Sequence, residues 1–277
     1  MRLRVTSACS SRNGLAYERA RFGRLTLVIR FISSLYGPCQ SRTAGGLAGA
    51  EGVGTVTNVT RIGGYAGWIS VIGIFGYHIG LTAIVGQRVS GTTDVAAIRS
   101  YYEHAVIAPA SIAPFVVMIA VLVFALAMRE VLAALPGGRF LANLGLLLVV
   151  AELPVILTTS SLEAALVTTA TSGGDVLPLF RFWDVLYNSA AYVLEAGWVG
   201  AFGLAMREAS AFPRWLPRMA LLVAALQLVN MTAIWVGIPD TFTLVGNVFF
   251  AIFFVGGSIG LGRLAAAPVR VTAMQPA

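Results

Sequence analysis

The chain has 277 residues, of which 57% are hydrophobic and only 11% are charged, and its mean hydropathy is +0.82. Soluble domains carry about 25% charged residues, so this composition excludes a water-soluble globular fold and predicts that lipid covers the outer surface. The net charge of +7 rests on 19 arginines, but their spacing has no groove-reading pattern, so nucleic acid is excluded as a partner.

The first sixty residues are rich in arginine and contain no predicted span. Their apolar run at 25–36 is interrupted by Arg30, which makes it too short to cross a bilayer and a poor signal-peptide core. Three interpretations stay open: a disordered cytoplasmic tail, an amphipathic helix held at an anionic lipid surface, or a misplaced translation start. The sequence thus divides into a tail at 1–60, a transmembrane domain at 61–263 and a cytoplasmic tail at 264–277.

Six apolar stretches are long enough to cross a hydrocarbon core about 30 Å thick as helices. Charges, prolines or glycines separate each stretch from the next, and a tight turn at 238–240 joins the last two. The sequence therefore predicts an all-α polytopic bundle with six spans, at 62–86, 109–128, 141–161, 184–206, 218–237 and 241–262.

Arginine placement predicts the orientation of these spans. With the amino end inside, 16 of the 19 arginines lie in the amino-terminal segment or on the inner side, and 3 lie in outer loops. Without the seven arginines that precede Phe31, the ratio is nine to three. Because cytoplasmic loops carry the excess of positive charge, we expect both termini to be cytoplasmic.

The loop after the first span predicts a short surface helix at 92–107. Thr93 or Asp94 can accept hydrogen bonds from its first free amide groups. We expect its apolar face to lie against the membrane and its polar face to meet water. An interfacial helix packed on the bundle and a lid over a central cavity both fit this pattern. The apolar face comprises Val95, Ile98 and Tyr102, and the polar face comprises Arg99, Glu103 and His104.

A seven-residue pattern occurs twice, at 124–130 and 202–208, with six identical residues at an offset of 78. Each copy ends a span that descends from the outside, and a proline-containing loop and a rising span follow it. The pattern predicts that helices 2–3 and helices 4–5 form a parallel repeat, and chance similarity of helix ends is the alternative. The offset pairs Glu152 with Asn230, so this acid would belong to one half only.

Two glutamates lie deep within the predicted spans. Glu152 lies eleven residues beyond Leu141, and Glu195 lies eleven residues beyond Asp184. At 1.5 Å per residue each is about 16 Å from its membrane boundary, near the midplane of a core about 30 Å thick. A charge at that depth costs about 2.5–3.5 kcal/mol, so an intramembrane carboxylate is a candidate functional group.

Further polar side chains are predicted to reach a similar depth. Asp184, Asn188 and Glu195 fall within about 40° of one another on a regular helix, with Tyr192 beside them. One interpretation is a hydrophilic cavity, open to the outside, that binds a proton, a cation or a small polar solute. The other is that these groups only bond the helices together, with Asp184 as an interface anchor. The remaining candidates, on other spans, are His78, Gln227 and Asn230.

The sequence gives no sound motif of catalysis or cofactor binding. There is no HExxH motif, and the two cysteines, Cys9 and Cys39, have no metal-ligand spacing. The letters GxSxG occur at 256–260, but inside the last predicted span and not at the strand-to-helix turn that a nucleophilic serine needs. We therefore assign no catalytic residue, no metal ligand and no cofactor, and an enzyme is disfavoured. Glycine pairs four residues apart predict either close packing of the first and last helices or a homodimer face; they are Gly63/Gly67, Gly76/Gly80 and Gly256/Gly260.

The segment 94–130 resembles a pattern of uncharacterised multi-pass membrane proteins of actinobacteria. The pattern begins with a stretch at 94–104 that contains Asp94, Ile98, Tyr101, Tyr102 and His104. An apolar span follows, and the pattern ends with a terminal arginine. The sequence at 212–217, before a rising span, is also similar to that group. The resemblance covers most of 62–262 and implies the fold and a location in the bacterial inner membrane. It implies no activity, because such families are known only as domains of unknown function.

Two functions of different class fit these features. The first is a small transporter or proton-coupled protein that uses Glu152 and Glu195 to bind a polar solute or a proton. The second is a structural or regulatory membrane protein that transports nothing and whose buried polar groups fix the helix packing. The lipid bilayer is a partner in both.

Overall fold

A computed structural model of the chain describes residues 49–236 and 240–266, with side chains at 58–207, 209–232 and 244–266. Within these residues the structure contains helices and no strand, as the hydropathy pattern predicts. The α-helices are α1 (Gly49–Val85), α2 (Val95–Tyr102), α3 (Ile107–Ala110), α4 (Ile112–Ala133), α5 (Gly138–Thr171), α6 (Leu177–Val185), α7 (Tyr192–Ala205), α8 (Leu216–Val236) and α9 (Asp240–Ala266).

Among the residues that the structure describes, four helical segments are long and apolar enough to cross a membrane, at 58–85, 107–133, 138–171 and 244–266. They expose large apolar side chains such as Ile72, Phe140 and Leu147, which only lipid solvates without cost. The chain therefore has the architecture of an all-α membrane protein. The two other predicted spans, the fourth and the fifth, have a different form. In the fourth, a π-helical segment at 186–191 divides the helical stretch 177–205. In the fifth, the described apolar part of α8 is the shorter segment 216–232.

The long helices form a closed ring. Each one packs against the next along the chain, in the order α1, α4, α5, α7, α8 and α9, and α9 returns to α1. The loops at 86–94, 103–106 and 172–176 meet at one end of this ring, which we call the α2 end because α2 lies there. The loops at 134–137 and 209–215 lie at the opposite end. This closure gives the bundle an interior that every long helix faces.

Aromatic side chains fill the half of the interior nearer the opposite end. Phe124, Phe253 and Phe254 pack on one another, with ring centroids 5.0–6.2 Å apart. Trp198 contacts Phe253 and Phe254 at 5.9 and 5.8 Å. Lipid tails are as apolar as these rings, so the hydrophobic effect does not hold the helices together here. Shape complementarity and dispersion contacts between close-packed side chains do.

Small residues let the first and last helices approach each other. A Cβ atom on Gly67 would collide with the side chain of Ser258 on α9, and one on Gly63 would meet Leu261 Cδ1 of α9 at 3.3 Å. The predicted close packing of the first and last helices is therefore confirmed for Gly63/Gly67, whereas Gly256/Gly260 faces residues at 212–216 instead. Gly76 and Gly80 have open space around them instead, so this pair does not serve packing within the described chain.

Helix α5 is longer than predicted. It continues to Thr171, whereas the predicted span ends at 161, and Pro154 lies within it without ending it. The second half is polar but stays helical because its hydroxyls bond back to carbonyls of the preceding turn, as Thr158 does to Pro154 (2.7 Å) and Thr168 to Ala164 (3.1 Å). A search for apolar runs does not detect a helical segment whose polar side chains bond to its own backbone. The predicted end of the span at 161 is therefore wrong.

The surface helix is confirmed as α2, but its orientation is not as predicted. Asp94 caps it by accepting bonds from the amides of Ala96 and Ala97 at 3.0 and 3.2 Å. Its apolar face points into the protein rather than toward the membrane: Ile98 and Tyr102 are fully buried. The helix is thus part of the core at the α2 end.

The predicted termini lie mostly outside the described residues, namely 1–48 and 267–277, as does most of the turn predicted at 238–240. Helix α1 is already present at Gly49, before the predicted boundary at 61, and α9 extends to Ala266, beyond the boundary at 263.

Gly67→Ala is expected to destabilise the bundle, because the added methyl group meets the Phe124 ring. Overpacking of this kind costs about 1–3 kcal/mol. Thermal unfolding in detergent measures the effect. Gly76→Ala, on the same helix with nothing within 4 Å, is the matched control: it adds the same helix propensity without a clash, so its unfolding midpoint should not fall. Equal midpoints for the two variants would contradict the packing described here.

Candidate functional site

The π-helical segment at 186–191 sets the geometry of the site. Its wider turn interrupts the regular helical phase between α6 and α7, and such segments occur often at functional sites. The polar stripe predicted for a regular helix is therefore wrong. Asp184 and Asn188 bond each other (2.6 Å) at the α2 end, whereas Glu195 lies deeper and faces a cavity. Asp184 is buried and accepts a bond from the Gly91 amide at the same end, and its role as an interface anchor stays a prediction.

Glu152 and Glu195 come together inside the ring. Glu152, on α5, is 1% exposed and accepts a hydrogen bond from Trp198 Nε1 over 2.8 Å. Glu195, on α7, accepts one from Gln227 Nε2 over 2.6 Å. Both glutamates line the same cavity. Two negative charges facing one low-dielectric cavity repel each other, which favours a proton on one member of the pair.

Two amide side chains of α8 form a hydrogen-bonded chain that ends on Glu195. Gln227 and Asn230 are fully buried, and Asn230 Nδ2 donates to Gln227 Oε1 over 2.7 Å. Gly246 on α9 leaves room for them, because a Cβ atom there would meet Asn230 Nδ2 at 2.6 Å. Asn230 Oδ1 has no hydrogen-bond partner among the described residues. A buried orphan acceptor costs about 1–3 kcal/mol, so this amide chain is not optimised for stability alone.

The carboxyl pair lines a partly enclosed cavity of about 80 Å³. At roughly 30 Å³ per water molecule, that volume holds two or three waters or one small solute. The structure brings four predicted site residues to its wall, while Gln227 and Asn230 lie behind Glu195 and Asn188 lies elsewhere. The polar and aromatic lining comprises Tyr77, His78, Glu152, Tyr187, Tyr192, Glu195, Trp198 and Asn247.

A further buried acid, Glu163, was not predicted. It is 3% exposed, pairs with Arg88 and accepts a hydrogen bond from Tyr77 Oη over 2.9 Å. The sequence contained a signal for it, because Glu163 follows Glu152 by eleven residues, which places both within about 20° on one helix face. The predicted end of the span at 161 left Glu163 out, and Arg88 was counted only as a topology signal.

Aromatic rings surround the guanidinium of Arg88. Its Cζ atom lies 4.6 Å from the ring centroid of Trp183, 4.7 Å from that of Tyr187 and 5.9 Å from that of Tyr77. These distances are those of cation–π contacts. We call this group of Trp183, Tyr187, Tyr77 and Glu163 the arginine cage. Two of its members, Tyr77 and Tyr187, also line the cavity, so the cage and the cavity share a wall.

The tyrosines of α2 near the cage are neutral hydroxyls. Burial raises the pKa of Tyr101 and Tyr102, and the nearby Arg88 charge only partly opposes this. A phenol therefore does not neutralise Arg88, and Glu163 is its counterion. The Arg88–Glu163 pair therefore carries no net charge.

The environment of His78 is aromatic. Its ring meets that of Tyr77 edge-on, with centroids 5.2 Å apart, at the cavity wall. Among the residues described, no three His, Cys, Asp or Glu side chains are grouped closely enough to hold a metal ion.

No family model, curated protein or solved structure matches this chain. The resemblance to actinobacterial membrane proteins therefore stays a prediction, and the geometry of the site alone carries the functional argument.

Glu163→Gln is expected to lower stability strongly, because it leaves the Arg88 charge without its counterion. Breaking a buried ion pair costs about 3–5 kcal/mol, and the 18% exposure of the Arg88 side chain places the effect at the lower end. Thermal unfolding in detergent should show it, and the exposed Glu103→Gln is the control. Combining Glu163→Gln with Arg88→Met should cost less than Glu163→Gln alone. If the double variant is the less stable one, the cage does not depend on charge balance.

Proposed function

We propose that this protein is a small membrane transporter that couples the movement of a polar solute to protons through Glu152 and Glu195. The observation that carries the proposal is the pair itself: two carboxyl groups that line one solute-sized cavity. A pair that shares one proton can release it when a solute takes its place and bind it again when the solute leaves. Buried acids in transporters commonly act in this way.

The proposed topology has six crossings with both termini in the cytoplasm of a bacterial cell, in the inner membrane. Segment 177–205 is taken as one crossing despite its π-helical interruption, and α8 as another. The closed ring supports this arrangement, because all six segments pack side by side in chain order. The arginine distribution supports the orientation.

Single-cysteine labelling tests the crossing by 177–205. Cys9 and Cys39 are first replaced by serine, and Ser172→Cys or Ser210→Cys is then introduced at an exposed loop position on either side of the segment. We expect a membrane-impermeant maleimide to label intact cells at position 172 and to label position 210 only after permeabilisation. Labelling of both positions in intact cells, or of neither, would remove the fourth span from the topology.

The proposed parallel repeat gains support from burial. In the two seven-residue copies the first, second, fourth and fifth residues are buried and the third is exposed, as in Phe124 and Leu126 against Phe202 and Leu204. The offset that pairs Glu195 with Val117 joins two residues that line the same cavity. A duplicated pair of helices whose acids diverged would produce an asymmetric site of this kind.

Glu152→Gln and Glu195→Gln are each expected to abolish solute-dependent proton flux while the protein still inserts and folds. Glutamine keeps the size and hydrogen-bonding capacity but cannot exchange a proton. The measurement is the internal pH of proteoliposomes after addition of a panel of small cations, anions and neutral polar solutes. Glu103→Gln, an exposed change of the same chemistry, should keep wild-type flux. Wild-type flux in both cavity variants, or no flux with any solute, would end the proposal.

A second candidate is a structural or regulatory membrane protein without transport. The observation in its favour is the bonding of Trp198 to Glu152 and of Gln227 to Glu195, which ties α7 to α5 and to α8. On this view the same glutamine variants change only stability, by about 1 kcal/mol each, as interhelical hydrogen bonds do in membranes.

A further inference from the structure

Among the described residues, the cavity wall carries two acidic side chains and no arginine. Its ionisable lining consists of Glu152, Glu195, His78 and the tyrosines 77, 187 and 192. Repulsion between like charges favours one proton on the glutamate pair, which leaves the pair with one negative charge. Arg88 contacts two of the lining tyrosines, but Glu163 already balances its charge. An anionic solute would add to the negative charge in a low-dielectric interior, whereas a monovalent cation can take the place of the proton and leave the charge of the site unchanged.

The remaining lining is aromatic. Tyr77, Tyr187, Tyr192 and Trp198 line the cavity together with the two carboxyl groups. Aromatic faces attract weakly hydrated organic cations such as guanidinium and quaternary ammonium, while a strongly hydrated metal ion prefers oxygen ligands. Carboxyl oxygens combined with aromatic faces are the environment that suits an organic cation.

The protein already holds one such cation beside the cavity. The Arg88 guanidinium lies over Trp183 and Tyr187 and pairs with Glu163, which is the same combination of aromatic faces and one glutamate. Its Nε and Nη1 atoms have no hydrogen-bond partner among the described residues, so the aromatic contacts and Glu163 are its main stabilisation. Tyr77 and Tyr187 belong to both the cage and the cavity.

We propose that the solute is a small monovalent organic cation, of the guanidinium or alkylammonium class, and that it binds between the Glu152–Glu195 pair and the tyrosines shared with the arginine cage. This rests on the proposed transport function and adds the substrate class. One cation enters the cavity and one proton leaves the carboxyl pair, so the site charge is unchanged. The exchange is therefore electroneutral, one cation for one proton.

The decisive probe is guanidinium chloride at millimolar concentration, matched with sodium chloride, added to proteoliposomes that contain a pH-sensitive dye. Guanidinium stays protonated near neutral pH, so its entry cannot be confused with passive diffusion of a free base. We expect the interior to become more alkaline with guanidinium and not with sodium. The rate should not respond to an imposed potassium diffusion potential, because the exchange moves no net charge.

Binding provides a second readout that does not require transport. Quenching of tryptophan fluorescence in detergent should report guanidinium binding, since Trp198 lies at the cavity wall. Tyr187→Leu removes an aromatic face and should weaken binding about fivefold, the change that one moderate cation–π contact corresponds to. Tyr187→Phe keeps the face and should stay within about twofold of wild type. Equal affinities for the leucine and phenylalanine variants would overturn the aromatic site.

The outcomes separate the two proposals. Flux that depends on Glu152 and Glu195 but occurs only with anions or neutral solutes overturns the cation assignment and leaves the transport function standing. Flux that follows the membrane potential overturns the electroneutral exchange. Absence of flux with every solute overturns the transport function and the cation assignment together.

Discussion

A polar group in the hydrocarbon core has no water to bond, so it must find its partner within the protein. Three groups of residues show how the structure meets this constraint. The hydroxyls of α5 bond back to their own helix, the glutamates bond a tryptophan and an amide, and Arg88 bonds Glu163. The closed ring of helices follows from the same need, because it gives buried polar side chains an interior that is shielded from lipid.

Two polar layers occupy that interior, and aromatic side chains join them. Near the α2 end, Arg88 and Glu163 form a balanced pair, and deeper in the ring Glu152 and Glu195 line one cavity. Tyr77 donates to Glu163 and also lines the cavity. The interrupted helix between α6 and α7 places Tyr187 in both layers. A change in charge in one layer therefore acts on Tyr77 and Tyr187, which also contact the other layer.

Most of the fold class could be predicted from local patterns. Apolar runs identified the long helices, Asp94 identified the start of α2, and the pair Gly63/Gly67 identified the contact between the first and last helices. The rise per residue placed Glu152 and Glu195 at comparable depth, and the structure places both at the wall of one cavity. These features depend on neighbours within a few residues or on the repeat distance of a helix, which a sequence states directly.

The amino-acid sequence by itself determined that the chain is a helical membrane protein and that two acids lie deep within it, because hydropathy and helical rise are local properties. Only the tertiary structure decided which acidic side chain is the counterion of which arginine. The pairing of Arg88 with Glu163 joins residues 75 positions apart. Glu163 lies in the polar half of α5, beyond the predicted end of that span at 161. The phase shift at 186–191 and the ring closure likewise arise from packing between distant segments, since the lowest free energy there belongs to the assembled bundle and not to any one helix.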